Sequence, residues 1–247
     1  MIHRKDCEIE WLEFELLQGL PVSHGIFLRH GGVSQGAFSS LNVGASVGDS
    51  FEFVTQNRAL INQVFGSNKL IFGQQVHGVE IAEVKAQEAR VDTCDGLITK
   101  EKGKALAIQH ADCQAAIFYD PIQNILANIH CGWRGSVQNI YEKTVDLFKA
   151  KGSNSANILV CISPSLGPLA AEFIHFEKEL PPSFQDFRGD GYLFDFWEIS
   201  RFQLKQAGIL PCHIELASIC TYQDGRNYFS YRRDKITGRH ATVAQLN

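Results

Sequence analysis

The stretch HADCQAAIFYDPIQNILANIHCGWRG (110–135) decides how the chain is read. Two apolar runs, 114–120 and 125–130, flank DPIQN, whose Pro121 and Asn124 mark a turn, so the pair reads as an antiparallel hairpin. With neighbouring strands ~4.8 Å apart, the outer ends of such a hairpin, Cys113 and His130, come close together. They could be a Cys/His nucleophile pair, part of a metal site, or buried residues with no chemical role. Just beyond His130, two glycines bracket Trp133 and Arg134, and a helix is expected to start at a Ser136 cap. Backbone N–H groups beside an arginine would suit an anion there; the plainer reading is a turn whose glycines serve geometry alone.

Outward from the hairpin, further short apolar runs read as strands: 25–31, 70–78, 79–84, 96–100, 105–110, 157–163, 213–218 and NYFSYRR (227–233). Helical periodicity appears in FEFVTQNRALINQVFG, in SVQNIYEKTVDLFKAKG with Gly152 as its stop, and in DFWEISRFQLKQAGI. Strands and helices do not alternate strictly and no GxGxxG occurs, which argues against a dinucleotide-binding fold. The expected class is α+β in layers, with mixed, largely antiparallel sheets covered by helices. The nearest approach to a linker, LPPSFQDFRGDG (180–191), is short, so one domain spanning 1–247 is expected.

A formal net charge of −4 gives no general attraction to nucleic acid or to an anionic membrane. Small-molecule partners are expected, with any anion binding local. No apolar run approaches the ~18–20 residues of a membrane-spanning helix, and MIHRKDCEIEW lacks the features of a signal peptide. The seven cysteines contain no CxxC pair, which fits neither a disulfide framework nor a zinc ribbon. A cytoplasmic protein with reduced thiols is the expectation.

A third group would separate metal from nucleophile, and His77 in GQQVHG is the best placed, at the end of an apolar run and before Gly78. Two histidines and a cysteine make a three-ligand set, which catalytic zinc uses with one position left open. A Cys113 thiolate with a histidine base needs the same residues, so the two readings stay open. Arg29, Arg58, Arg232 and Arg233 lie near turns and suit phosphate or carboxylate, although each singly reads equally as a surface residue. Asn42 and Asp95 read as ligand contacts or turn residues.

Taken in order, LRHGGVSQGAFSSLNVG, TQNRAL, QQVHG, HADC, HCGWRG and FSYRRDKITGRHA resemble the laccase-domain family, also called polyphenol oxidase-like proteins, peptidoglycan editing factors and purine nucleoside phosphorylases. The resemblance runs from about residue 22 to the C-terminus. It implies a single domain with a zinc site on His77, Cys113 and His130, and places substrate or phosphate contacts on Asn42, Arg58, Arg232 and Arg233. The implied activities are phosphorolysis of adenosine, inosine, guanosine and 5′-methylthioadenosine, and hydrolytic deamination of adenosine. The editing role reported for some members implies an alternative, a cysteine-type amidase acting on peptidoglycan precursors. A copper polyphenol oxidase fits less well: the nine histidines include no HxH pair, and Met1 is the sole methionine available as a weak axial ligand. The chain departs from the family pattern in reading HCGWRG, where Cys131 stands beside a ligand histidine, and in opening the segment after 157–163 with Ser163-Pro164. Neighbours on a strand face opposite ways, so Cys131 is expected to be buried away from the site.

Overall fold

A computed structural model gives the fold, and it describes residues 1–67, 69–85 and 92–247. The hairpin forms as expected: β8 (Gln114–Asp120) and β9 (Ile125–Cys131) pair antiparallel from Gln114↔Cys131 to Asp120↔Ile125. Asp120 closes the turn by accepting from the Ile122 and Gln123 N–H groups at 2.8 and 3.2 Å. β8 and β9 sit at the centre of a mixed six-stranded sheet with β5 (Ile81–Glu83), β6 (Gly96–Thr99), β10 (Leu159–Ile162) and β11 (Ile214–Leu216), in the order β11-β10-β8-β9-β6-β5.

A second six-stranded sheet holds β1 (Ile2–Asp6), β2 (Ile9–Glu13), β3 (Val22–Phe27), β4 (Leu70–Phe72), β7 (Ala105–His110) and β12 (His240–Leu246), in the order β1-β2-β3-β12-β7-β4. β4·β7, β5·β6 and β10·β11 pair in parallel; the remaining ladders are antiparallel.

The two sheets pack face to face. Ile26, Leu106 and Ala244 of one meet Leu97, Ile117, Tyr119 and Leu126 of the other. The alternate residues of the same strands face outward under helices. Ala105, Ala107 and Val243 lie beneath α1 (Phe51–Phe65), while Ala116, Phe118, Ala127 and Ile129 lie beneath α3 (Ile140–Ala150) and α5 (Phe196–Gln206). Burial on both faces is why β8 and β9 read as continuous apolar runs rather than alternating ones. Asn128, the polar exception, points inward and donates to the Leu106 and Thr242 carbonyls at 3.0 and 2.8 Å, tying one sheet to the other.

Several sequence expectations need correction. The helix predicted from a Ser136 cap is two helices, α2 (Trp133–Val137) and α3. Asn139, left-handed at φ 53, ends the first and caps the second by accepting from the Glu142 N–H, while Ser136 lies inside α2. NYFSYRR is not a strand: Ser230 accepts from the Arg233 N–H and starts a helical turn, α6 (Tyr231–Asp234), after Tyr228 and Phe229 enter the core. Segment 180–191, the nearest approach to a linker, packs into the fold. Leu180 and Phe184, with Phe173, Phe176 from α4 (Phe176–Glu179) and Phe194, form an aromatic cluster of their own.

Two regions gave no apolar signal. β1 and β2 form an edge hairpin with charged residues on both faces, and β12, central in its sheet, is built from small residues such as Ala241, Thr242 and Ala244.

Candidate functional site

Strand parity aims His130 and Cys131 in opposite directions. His130 lies on the inward face with Leu126 and Asn128, at the open end of the sheets, whereas Cys131 packs with Ile129 and Ile140 on the helix-covered face. Cys131 is buried as expected; burial pushes its thiol up to about 12, and Ser136 Oγ lies 3.3 Å away.

His130 is fixed by Asp95, a fully buried carboxylate just before β6. Nδ1 of His130 donates to Asp95 Oδ1 at 2.8 Å, which leaves Nε2 to face Cys113. Burial lowers the imidazole, but Cys113 and Asp95 outweigh it and raise it to about 9, so without a metal the pair is imidazolium and thiolate. The same carboxylate accepts the backbone N–H groups of Val76, His77 and Gly78 at 3.2, 2.9 and 2.7 Å. One side chain therefore sets the position of two histidines that are far apart in sequence. Burial pushes the Asp95 carboxyl up, but hydrogen bonds from His130, Gly78 and Val76 outweigh it and hold it below the usual carboxylate range.

The loop carrying His77 is pinned a second time. Gln75 brackets the edge of β7, donating to the Gln109 carbonyl at 2.8 Å and accepting from the Gln109 N–H at 2.9 Å. His77 itself is left-handed at φ 60, an uncommon conformation for a non-glycine residue that its three-sided anchoring maintains. On the other side, Asp112, also left-handed at φ 78, delivers Cys113 from the turn between β7 and β8. Thr221 Oγ1 and the Arg232 N–H donate to its carboxylate at 2.7 and 2.6 Å.

These supports bring one ligand atom each from His77, Cys113 and His130 within 4.8 Å of one another, and the two imidazoles meet edge to face with centroids 4.9 Å apart. A cluster of two imidazole nitrogens and one thiol can hold a metal ion. The local electrostatics suit that role. Burial alone would push the Cys113 thiol up, yet the charge and hydrogen bond of His130, with His77 beside it, bring it down to about 6. The deprotonated thiol that metal binding needs is thereby favoured. Gly132 leaves the cluster room: a Cβ there would stand 2.8 Å from His77 Nδ1 and 3.1 Å from Cys113 Sγ.

The cluster lies in the wall of a cleft of about 1140 Å³. Phe72, Trp133, Phe173 and Phe196 give it aromatic surface. Trp133 meets Phe173 edge-on, with the Arg134 guanidinium 4.1 Å over its ring. α2 has five residues, too short to sum a helix dipole, so of the two readings of the HCGWRG turn the structure supports these side chains rather than a helix-end anion site.

Of the four residues expected to contact substrate or phosphate, Arg58 and Arg232 line the cleft. Arg58 lies over the Phe72 ring at 4.2 Å and donates twice to the Val43 carbonyl; Arg232 donates to the Glu172 carbonyl at 3.0 Å. The other two are outside its wall. Asn42 is fully buried and braces the chain, accepting from the Gly44 and Arg239 N–H groups and donating to Asp49. Arg233 spends its guanidinium on the carbonyls of Thr221, Tyr222 and Tyr228 and on Asp234.

Sequence reasoning did not select Gln75, Asp112 or Arg239; it read Asp95 as a ligand contact or turn residue and Gly132 as part of a turn, without giving either a place beside the histidines. Asp95 and Gly132 stand directly before a strand and directly after one, a signal too common to rank them.

The profile of a family described as multi-copper polyphenol oxidoreductase laccase matches residues 23–247. The chain is 32% identical over 230 residues to the purine nucleoside phosphorylase YfiH of Escherichia coli (strain K12), covering 88% of this chain and 91% of the relative. It is also 32% identical over 237 residues to the purine nucleoside phosphorylase YlmD of Geobacillus stearothermophilus, covering 87% and 86%. The crystal structure of the Bacillus licheniformis hypothetical protein YfiH superposes with a TM-score of 0.90 at 28% identity, over 99% of each chain. The same layered sheets and the match over nearly the whole length lead to one assignment: this chain belongs to the multi-copper polyphenol oxidoreductase laccase family.

Proposed function

We propose that the protein is a zinc-dependent purine nucleoside enzyme of the cytoplasm, cleaving adenosine, inosine, guanosine and 5′-methylthioadenosine by phosphorolysis and deaminating adenosine. The observation that carries this reading is the His77, Cys113 and His130 cluster opening into a cleft with aromatic and cationic walls. Curated relatives named purine nucleoside phosphorylase align with it over most of their length. Seven free cysteines, Cys113 among them, suit a reducing compartment, and among the described residues no helix is long and apolar enough to cross a membrane.

The donor set fits zinc better than copper: two imidazoles and a thiolate leave one position open, and no thioether is at hand. When bound, zinc would supply Lewis-acid polarisation of a substrate oxygen or of water. The chain's own residues do the rest. Asp95 keeps His130 in one tautomer, the aromatic walls offer flat surfaces for a purine, and the cationic side chains attract phosphate. In phosphorolysis a phosphate oxygen bonds to ribose C1′ as the C1′–N9 bond breaks. The base leaves with the electron pair and gains the proton that phosphate loses.

A second reading rests on a specific feature. Cys113, His130 and Asp95 form a thiol, imidazole and carboxylate series, with the thiol held low, as a cysteine amidase would need. Metal analysis with a chelator separates the two. Stoichiometric zinc and turnover of nucleosides that stops with chelator and returns with zinc support the first; metal-free activity blocked by iodoacetamide supports the second.

A further inference from the structure

Gln114 stands where the fold has little use for a polar group. It follows Cys113 as the first residue of β8, and it is buried in the wall of the cleft. Strand parity turns it away from the metal cluster, onto the helix-covered face with Ala116 and Phe118 and opposite Cys131 in the ladder. A buried amide is costly unless its hydrogen bonds are made.

Here they are made, and they reach two helices. Nε2 donates to the carbonyl of Phe196, the first residue of α5, at 3.1 Å. Oε1 accepts from the Tyr141 hydroxyl of α3 at 2.6 Å. The Ser200 hydroxyl of α5 lies 2.8 Å from Oε1 and 2.7 Å from the same Phe196 carbonyl. A carbonyl only accepts, so the Gln114 amide has one orientation. Tyr141 and Ser200 are fully buried. Directional bonds in such a place specify a position that apolar contact alone would let slide.

What these bonds hold is the aromatic wall. The Phe196 ring meets Phe173 with centroids 5.1 Å apart, and Phe173 meets Trp133 at 6.0 Å, so the three rings form one run along the cleft. Further along α5, Gln203 Nε2 donates to the Ser136 carbonyl at 2.7 Å, which ties α5 to α2, the helix that carries Trp133. Two amides thus fasten α5, one next in sequence to Cys113 and one to the helix of Trp133.

We propose that Gln114 is a positioning residue: by holding the first turn of α5 it sets the span between the His77, Cys113 and His130 cluster and the aromatic wall, and with it the fit of a flat base between them. It acts through Phe196 and touches no reacting atom. The proposal rests on the purine reading for its ligand and on these hydrogen bonds for the span.

The test uses the full-length, zinc-loaded chain. Gln114→Met keeps the length of the side chain and removes both donor and acceptor. It should raise the nucleoside KM at least about fivefold while kcat and the phosphate KM stay within about twofold, because a shifted wall weakens base binding and leaves the reacting groups in place. Zinc affinity in a chelator competition should stay within about twofold, short of the roughly 10-fold or greater loss that a disturbed ligand gives. Tyr141→Phe removes one donor to Oε1 and should raise the nucleoside KM by less. The double variant should be no worse than Gln114→Met alone, since both act on one network. An unchanged nucleoside KM in folded Gln114→Met would overturn the proposal, as would a parallel loss of zinc, which would place Gln114 with the cluster rather than the wall. If Gln114→Met does not fold, Tyr141→Phe and Ser200→Ala carry the test, and an unchanged nucleoside KM in both would overturn it. Crystal structures of the wild type and Gln114→Met give a readout that needs no turnover: a displaced Phe196 ring beside an unmoved cluster supports the proposal, and an unmoved ring overturns it. A wild-type chain that neither binds nor cleaves a purine nucleoside would sink the purine reading instead, and the two structures would then decide the span.

Discussion

Asp95 and His130 are joined twice, by the 2.8 Å bond from His130 Nδ1 to the Asp95 carboxylate and by the 2.7 Å bond from the His130 N–H to the Asp95 carbonyl. Side chain and backbone of His130, a proposed metal ligand, thus answer to one residue, which also holds the backbone of His77. Outer-shell partners of this kind typically change metal affinity by about 10–100-fold. Asp95→Asn should weaken zinc binding by that factor in a chelator competition titration. Unchanged affinity would mean that the carboxylate does not orient the ligand.

Gly132 has φ −82 and ψ 177, a conformation any residue adopts, so alanine there adds no backbone strain. Its Cβ would meet His77 Nδ1 and Cys113 Sγ. Gly132→Ala should therefore displace the His77 ring and reduce bound zinc well below one per chain by elemental analysis, in protein that melting curves show to be folded. Full zinc occupancy would show that the ion lies elsewhere.

The depressed Cys113 thiol has a pH signature in protein stripped of metal. Burial acts to raise it and His130 with His77 outweighs that, so thiolate persists as pH falls until about 6, where an ordinary thiol loses it near 9. The iodoacetamide reaction at the Cys113 peptide, followed by mass spectrometry, should rise with a midpoint near pH 6. A midpoint near 9 would contradict the pairing. Zinc should protect the thiol.

Arg233 tests the distinction between brace and ligand. Its guanidinium holds the three carbonyls of Thr221, Tyr222 and Tyr228 around the turn leading to α6. Hydrogen bonds from charged groups contribute about 1.5–3 kcal/mol each at most, with less where solvent reaches them. Arg233→Met should lower stability by about 1–3 kcal/mol in denaturant unfolding while the folded enzyme keeps its phosphate KM. A raised KM at unchanged stability would reverse the assignment.

The sequence made the hairpin legible because it rests on a local signal, two apolar runs about a Pro/Asn turn; His77, Cys113 and His130 were named together, but their residue types left metal and nucleophile open, and only the resemblance to a family implied a ligand set. α1 and α5 were legible for similar reasons, through periodicity and a glycine beyond the end. β1 and β12 were not. An edge strand needs no apolar run, and a central strand built from alanine and threonine hides its burial. NYFSYRR misled because aromatic residues enter a core as readily from a loop as from a strand. The supports of the site were harder still. Asp95 acts through backbone N–H groups of residues 76–78, a relationship that exists once the sheets have packed. Asn42 and Arg233 show the converse, since motif position placed them at the substrate and the fold uses them to hold backbone.

The most direct measurement is the separation of products when the zinc-loaded chain is incubated with adenosine, with and without phosphate. The account predicts adenine and ribose 1-phosphate only when phosphate is present, inosine from deamination in either case, and neither product once zinc is removed. Adenine formed equally without phosphate, or turnover unaffected by removal of the metal, would contradict it.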